Sequence, residues 1–171
     1  ELRGLPVAVL IDFVHKHGGI LGPAHPCGGK YLSFTNTKRY YKSPELFKRF
    51  DFIEVFNACE SAESNARALK LAQKYKKPGI GGSDAHRPNC VGMGYTILPE
   101  RVTCETELIA LIRSKSSVIE TGGSLYGKTT KDKMGKADKI LTYSFWFYNK
   151  AGTIMRKRKR MLNGKIENPV D

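Results

Sequence analysis

Short apolar segments alternate with amphipathic helical segments along most of the chain, and this alternation limits its fold more than any other feature. Residues 52–57 are rich in β-branched and aromatic side chains, as in a buried strand. In residues 61–75, apolar side chains recur at three- and four-residue steps, as on one face of a helix. Residues 78–84 and 94–98 predict two further short strands. A chain in which strands and helices alternate folds as an α/β protein with mainly parallel strands.

The segments on either side continue this pattern. Residues 6–17 predict a short helix that ends at Gly18-Gly19, and residues 19–24 predict a strand directly after it. Thr103 predicts the N-cap of another helix, and residues 118–120 predict a fifth strand. The core face of the helix after Thr103 is predicted to consist of Leu108, Leu111 and Ile112.

Composition excludes several classes of protein. With 171 residues, of which 40% are hydrophobic, the chain forms one domain or part of a larger one. No run approaches the roughly 20 apolar residues that cross a bilayer, and the first residues lack a signal-peptide pattern. The four cysteines are widely spaced and include no CxxC pair, which predicts free thiols. We therefore expect a cytoplasmic protein with no membrane partner.

The C-terminal part of the chain differs in composition from the rest. Residues 1–121 carry the strand and helix pattern, whereas residues 122–171 form a Lys- and Arg-rich extension. The formal net charge is +13, and residues 156–160 are five consecutive cations. A helix is predicted within residues 140–162, with its apolar side chains packed on the folded part and its cations in solvent. Such charge favours phosphate-bearing partners, so nucleic acid or another anionic surface is an alternative use of the extension.

Three of the predicted strands end in polar side chains. His25 follows the first, Glu54 and Asn57 close the second, and Asp84 and His86 close the third. In parallel α/β folds, binding and catalytic sites lie at the carboxyl ends of the strands. Asp and His two residues apart can face one side of an extended segment, and a mixed carboxylate and imidazole set suits Zn, Mn or Fe.

Two of these residues also have a structural alternative. His25 alone could be a core or helix-cap histidine, and Asp84 alone could cap a following helix. Their occurrence at successive strand ends favours a shared site. His15 and His17 form a His-Lys-His triplet, but they lie at the end of a predicted helix and are expected at the surface.

In their order and spacing, these motifs resemble the second half of a PHP domain, the polymerase and histidinol phosphatase family. The resemblance covers residues 6–121. It implies the C-terminal part of a distorted (βα)7 barrel with mainly parallel strands, to which this chain adds a basic C-terminal helical extension. The motifs are Gly18-Gly19-Ile20, Ala24-His25-Pro26, Ile53-Glu54-Val55-Phe56-Asn57 and Gly82-Ser83-Asp84-Ala85-His86, followed by Val91-Gly92 and Tyr95-Thr96.

The resemblance also implies a metal site. His25 matches the histidine ligand of the family's HP motif, and Asp84 with His86 matches the Asp-x-His pair that closes its metal cluster. Divalent ions (Mn, Zn or Fe) are expected, two or three in a complete site. By the same resemblance, Asp84 orients a metal-bound water that attacks phosphorus, and His86 is a ligand.

Four further residues are candidates for contact with a phosphorylated substrate. Glu54 and Asn57 match the family's E-x-x-N strand end, where substrate or supporting contacts are expected rather than metal ligation. Arg87, next to Asp84 and His86, and Lys30, shortly after His25, are candidates to hold a substrate phosphate. Both cations could equally be solvated surface charges.

The function implied is metal-dependent hydrolysis of a phosphoester, either a small phosphorylated metabolite or a nucleotide. The family's early His-x-His strand is absent, so this chain alone is expected to hydrolyse phosphoesters poorly or not at all. Residues 20–24 are expected to present an apolar strand edge, covered by the N-terminal part of the same domain or by another chain. The alternative function is a nucleic-acid-binding or nuclease-associated module that uses the basic extension.

One competing motif lies at the start of the extension. Residues 122–129 satisfy the Walker A pattern G-x-x-x-x-G-K-[ST], whose backbone amides bind phosphates at a helix N-terminus. The residues that follow lack an apolar helical face, and too little chain remains for a nucleotide-binding sheet. We therefore predict that Gly127 and Lys128 bind no nucleotide.

Overall fold

A computed structural model describes residue 2 and residues 5–29, 33–114, 119–127 and 135–162. Residues 14–128 form one compact unit, and residues 1–13 with 129–171 form another. The α-helices are α1 (Val7–Lys16), α2 (Lys38–Lys42), α3 (Ala62–Tyr75), α4 (Glu105–Arg113) and α5 (Lys136–Leu162). The strands are β1 (Ile53–Asn57), β2 (Gly79–Gly82), β3 (Gly94–Ile97) and β4 (Glu120–Gly123), and short 3₁₀ helices span Phe34–Asn36, Pro44–Arg49 and Pro88–Cys90.

The described strands form two pairs. β1 and β2 are parallel, with Ile53 opposite Gly79 and Asn57 opposite Gly82. β3 and β4 are antiparallel, with Gly94 opposite Gly123. A mixed helix and strand fold with a small parallel sheet is therefore confirmed. A (βα)7 barrel is not seen in the described part of the chain, and the expectation of mainly parallel strands holds for only one of its two pairs.

The β1–α3–β2 unit follows the sequence prediction closely. Ser61 caps α3, and its side-chain oxygen accepts a hydrogen bond from the Ser64 amide at 3.2 Å. The other end is closed by Lys76, whose left-handed backbone directs its amide to the carbonyls of the last turn. The buried residues of α3 are Ser64, Ala68 and Ala72. Of the apolar side chains whose spacing predicted the helix, Ala72 is buried, whereas Ala62, Ala66 and Leu69 are exposed.

The strand predicted at residues 19–24 is wrong, because the described segment contains no strand there. The Leu21 carbonyl accepts a hydrogen bond from the Asp51 amide at 2.9 Å, and the Leu21 amide donates to the Asp51 carboxylate at 2.9 Å. Gly22 lies so close to Phe52 that a Cβ would be 2.4 Å from its ring. Pro23 has no amide to donate to a sheet. The segment is thus anchored on the residues before β1, and the predicted open strand edge at residues 20–24 is not found.

Two further predictions are corrected at single residues. His15 is partly buried and lies 2.8 Å from the Asp51 carboxylate, so it is not a free surface histidine, whereas His17 is exposed. Cys104, rather than Thr103, is the N-cap of α4. Thr103 instead donates from its amide and its hydroxyl to the Glu107 carboxylate, at 2.8 and 2.9 Å.

The aromatic core of residues 14–128 is centred on Phe47, which is fully buried. Phe34 meets its ring edge-on at 5.2 Å, and Phe50 does so at 5.8 Å. Tyr75 of α3 stacks on the other side at 5.3 Å. Phe47 therefore joins the segment before β1 to α3.

Helix α5 includes the residues predicted to be helical in the extension. Several of its apolar side chains are exposed. Leu141 is 68% exposed, Phe145 70% and Tyr148 76%. That these side chains pack on the folded part stays a prediction. In the described residues, no helix is both long enough and apolar enough to cross a membrane.

Candidate functional site

Parallel pairing brings the carboxyl ends of β1 and β2 to one edge. The pairing continues one residue beyond β1, where the Ala58 amide donates to the Gly82 carbonyl at 3.0 Å. Asp84 follows two residues after Gly82, and Asn57 directly precedes Ala58. The polar residues at the ends of the two strands therefore lie at the same edge of the sheet, as the sequence predicted.

His25 lies in a turn that is tied to β1. The turn is closed by a 3.1 Å hydrogen bond from the Gly28 amide to the His25 carbonyl. The His25 amide donates to Oε2 of Glu54. Its side-chain Nδ1 is buried and has no hydrogen-bond partner in the structure described. Since buried polar atoms are nearly always paired, an unpaired nitrogen is an unusual feature of the described site.

Glu54 connects this turn to both strand ends. Besides the His25 amide, its Oε2 accepts a 3.0 Å hydrogen bond from the Asn57 side chain. Its Oε1 lies against β2, because a Cβ on Gly82 would be 2.7 Å away. A glycine at position 82 is therefore what allows the carboxylate to lie between the His25 turn and the end of β2.

Asn57 is almost completely buried, at 1% exposure. Its side-chain oxygen accepts hydrogen bonds from the amides of Cys59 and Glu60, at 3.0 and 3.2 Å, and its side-chain nitrogen donates to Glu54. The backbone of Asn57 is held in turn by the Asn65 side chain of α3. The side-chain amide of Asn57 makes its hydrogen bonds within the protein. These contacts are those of a residue that positions its neighbours.

Asp84 is held by a tyrosine that sequence reasoning missed. The Tyr126 hydroxyl lies 2.7 Å from the carbonyls of both Ser83 and Asp84, and it shares its one proton between them. Burial raises the pKa of Tyr126, because desolvation disfavours the phenolate. Tyr126 stands 42 residues beyond Asp84 in a stretch that matches Walker A, so no local pattern marks this contact.

His86 lies close to Asp84 but remains in solvent. Its Nδ1 is 2.8 Å from the Asp84 carbonyl and 3.8 Å from the Asp84 carboxylate, and its side chain is 80% exposed. The predicted Asp-x-His pair therefore forms a local unit. The imidazole remains accessible through its other nitrogen.

Backbone strain coincides with two of the predicted ligands. Among described residues other than glycine, positive φ occurs at His25 (30°), Asp84 (50°) and Lys76 (51°). Lys76 is the C-cap of α3, where this conformation is usual. At His25 and Asp84 this left-handed backbone conformation costs on the order of 1–2 kcal/mol. Residues with such strained backbones are concentrated at functional positions.

The predicted ligands do not form a complete metal cage by themselves. In the part of the chain that the structure describes, no three His, Cys, Asp or Glu side chains are grouped so that they could hold an ion. Nδ1 of His25 is unpaired in the structure described, and Asp84 and His86 adjoin each other. The assignment of these three residues to one metal site therefore stays a prediction.

The remaining candidates are less defined. Arg87 is exposed and precedes a 3₁₀ helix. Lys30 and Lys128 lie outside the described residues, so the predicted phosphate contact of Lys30 and the predicted inactivity of the Walker A lysine stay untested. All four cysteines are free, as predicted, and Cys27 and Cys59 are buried.

The structure thus defines an α/β protein with strained polar loops at the carboxyl edge of a parallel strand pair. Residues 62–117 match the family model described as PHP-associated. This match is consistent with a C-terminal portion of a PHP domain, as the resemblance implies. The matched stretch includes Asp84 and His86, whereas His25 and Glu54 lie outside it. No curated protein and no solved structure gives a significant match.

Proposed function

We propose that this chain is the C-terminal part of a PHP-type domain that hydrolyses a phosphoester with divalent metal ions. PHP-type domains are generally metal-dependent phosphoesterases, and residues 62–117 match a PHP-associated family. The observation that carries the proposal is the buried, unpaired Nδ1 of His25 in a turn that Glu54 ties to the end of β2. His25, Asp84 and His86 supply ligands, and the rest of the ligand set comes from outside the described residues.

Three other residues position these ligands. Glu54 holds the backbone of His25, and Asn57 holds the Glu54 carboxylate. Tyr126 holds the carbonyl of Asp84 in its left-handed conformation. We infer that Arg87, which is exposed beside His86, binds a substrate phosphate once the site is complete. The substrate is a small phosphorylated metabolite or a nucleotide.

Metal binding and hydrolysis test this proposal separately. Isothermal titration calorimetry with Mn²⁺ and Zn²⁺ should detect weak binding, which His25→Ala and Asp84→Asn each reduce about tenfold or more, the scale of losing one ligand. His17→Ala is the matched control, because His17 is an exposed histidine outside the proposed site. Hydrolysis of p-nitrophenyl phosphate by the chain alone should be slow or absent.

Two outcomes contradict the proposal. Metal binding that His17→Ala reduces as much as His25→Ala would place the ion elsewhere. Rapid hydrolysis that persists in Asp84→Asn and His25→Ala would show that the activity does not depend on these residues.

A second candidate function is nucleic-acid binding through α5. Its aromatic side chains are exposed, and the Lys150 ammonium lies 4.7 Å from the centre of the Trp146 ring. Exposed Arg158 and Lys159 follow on the same helix. Cations beside exposed aromatic rings are typical of surfaces that bind single-stranded nucleic acid.

Salt dependence tests this second candidate. Binding of a random single-stranded oligonucleotide should weaken steeply with salt, and Arg158→Gln/Lys159→Gln should lower the slope of log K against log salt by roughly one to two. Lys16→Gln, an exposed lysine of the other compact unit, is the control. Binding that neither salt nor the α5 variant changes would exclude this function.

A further inference from the structure

A cleft of about 570 Å³ adjoins the loop that follows His25-Pro26. Its walls are loop residues 27–29, one face of α3, and the tyrosines of α2. This volume lies within the range of about 300–1,000 Å³ that is usual for small-molecule sites. Of the three predicted metal ligands, none lines the cleft, so it is distinct from the candidate metal site.

The α3 wall of the cleft is cationic. Arg67, Lys70 and Lys74 line it at steps of three and four residues, the spacing that places side chains on one helix face. No acidic side chain is among the described residues that line the cleft. The nearby Glu60 carboxylate lies against Gly28 and is buried, at 5% exposure. The cleft therefore has the electrostatic character of an anion site.

Arg67 is held in a defined orientation. Its Nη2 donates to the Cys27 carbonyl at 2.7 Å and lies 3.3 Å from the Ser64 hydroxyl. A guanidinium has five N–H donors, so these contacts leave others for an anion, with a geometry that the loop carbonyl fixes. Lys70 and Lys74 are exposed and add two further cations on the same wall; the Lys74 ammonium lies 5.3 Å from the centre of the Tyr75 ring.

The part of the cleft formed by α2 presents an aromatic ring to solvent. Tyr40 is packed edge-on against Phe47 and Phe34, at 5.7 and 6.3 Å. Tyr41 contacts the edge of Tyr40 at 5.6 Å and is 74% exposed. The Tyr41 ring is therefore supported from the core side while most of its surface remains free. An exposed ring that lines the same cleft as three cations is suited to stack a planar group of an anionic ligand.

We propose that this cleft binds a phosphate monoester that carries a planar aromatic ring, of which a nucleoside monophosphate is an example. The phosphate lies on Arg67, Lys70 and Lys74, and the ring stacks on Tyr41. The site does not depend on the proposed metal chemistry, because it uses none of the predicted metal ligands.

The test is calorimetric titration of the chain with AMP at low salt in the presence of EDTA, which removes metal ions from the measurement. AMP should bind, whereas ribose 5-phosphate and adenosine should each bind about tenfold more weakly, since each lacks one of the two contacts. Lys70→Gln/Lys74→Gln should weaken AMP binding about tenfold or more. Tyr41→Ala should weaken AMP binding about fivefold or more and leave that of ribose 5-phosphate unchanged.

Lys16→Gln/Lys136→Gln is the matched control, because it removes two exposed lysines outside the cleft and should change AMP binding less than about twofold. In spectra of the wild type, AMP should shift the amide resonances of Cys27 and Gly28. The proposal is overturned if AMP does not bind at millimolar concentration. It is also overturned if ribose 5-phosphate binds as tightly as AMP, or if the cleft and control variants weaken AMP binding equally. Because EDTA is present, these results are independent of any phosphoesterase assay.

Discussion

Glu54→Ala should destabilise the protein through one carboxylate that holds two loops. Oε2 of Glu54 accepts hydrogen bonds from the His25 amide and the Asn57 side chain, and Glu54 is partly buried. A hydrogen bond to a charged group contributes about 1.5–3 kcal/mol. Because the two bonds share one acceptor and solvent reaches part of the site, we expect a combined loss of roughly 2–4 kcal/mol in the free energy of unfolding.

Urea denaturation at 25 °C measures this loss as a lower midpoint at an unchanged slope. Glu54→Gln keeps an oxygen acceptor without the charge and should lose only about 1 kcal/mol. Glu100→Ala, at an exposed position, should change stability by less than about 0.5 kcal/mol. A loss below about 0.5 kcal/mol in Glu54→Ala would refute the reasoning, because the carboxylate would then not hold the His25 turn.

Three further predictions follow from particular contacts. Phe47→Ala should lower the free energy of unfolding by about 3–5 kcal/mol, measured in urea, because it empties the centre of the aromatic core. Folding raises the pKa of Tyr126, so its contribution to stability is complete below pH ~10 and is lost at higher pH. Tyr126→Phe should therefore make the fall in stability above that pH less steep, and an unchanged pH profile would contradict this. The thiol reagent DTNB should modify exposed Cys104 much faster than Cys27, since burial raises the pKa of the Cys27 thiol.

Local sequence patterns determined the helices and the parallel unit around β1. The periodicity of α3 and its Ser61 cap are local interactions within one or two turns, so they can be recognised without knowledge of the fold. The same is true of α1, which ends before Gly18, a residue with a φ of 78°. The polar strand ends were equally visible, since strands that run parallel place their carboxyl ends at one edge.

Tertiary structure decided which of these residues are joined. The segment 19–24 has the composition of a strand, but its partner is Asp51 rather than a strand edge, and no local pattern specifies that partner. The hydrogen bonds of Glu54 to the His25 turn and of Tyr126 to Asp84 span 29 and 42 residues. Such contacts depend on which distant parts of the chain the fold brings together. The cleft between α3 and the loop after His25 depends on the same long-range packing. The sequence by itself determined the local elements and the chemical types at the strand ends, while only the fold determined their hydrogen-bond partners, because partner choice is a property of long-range packing.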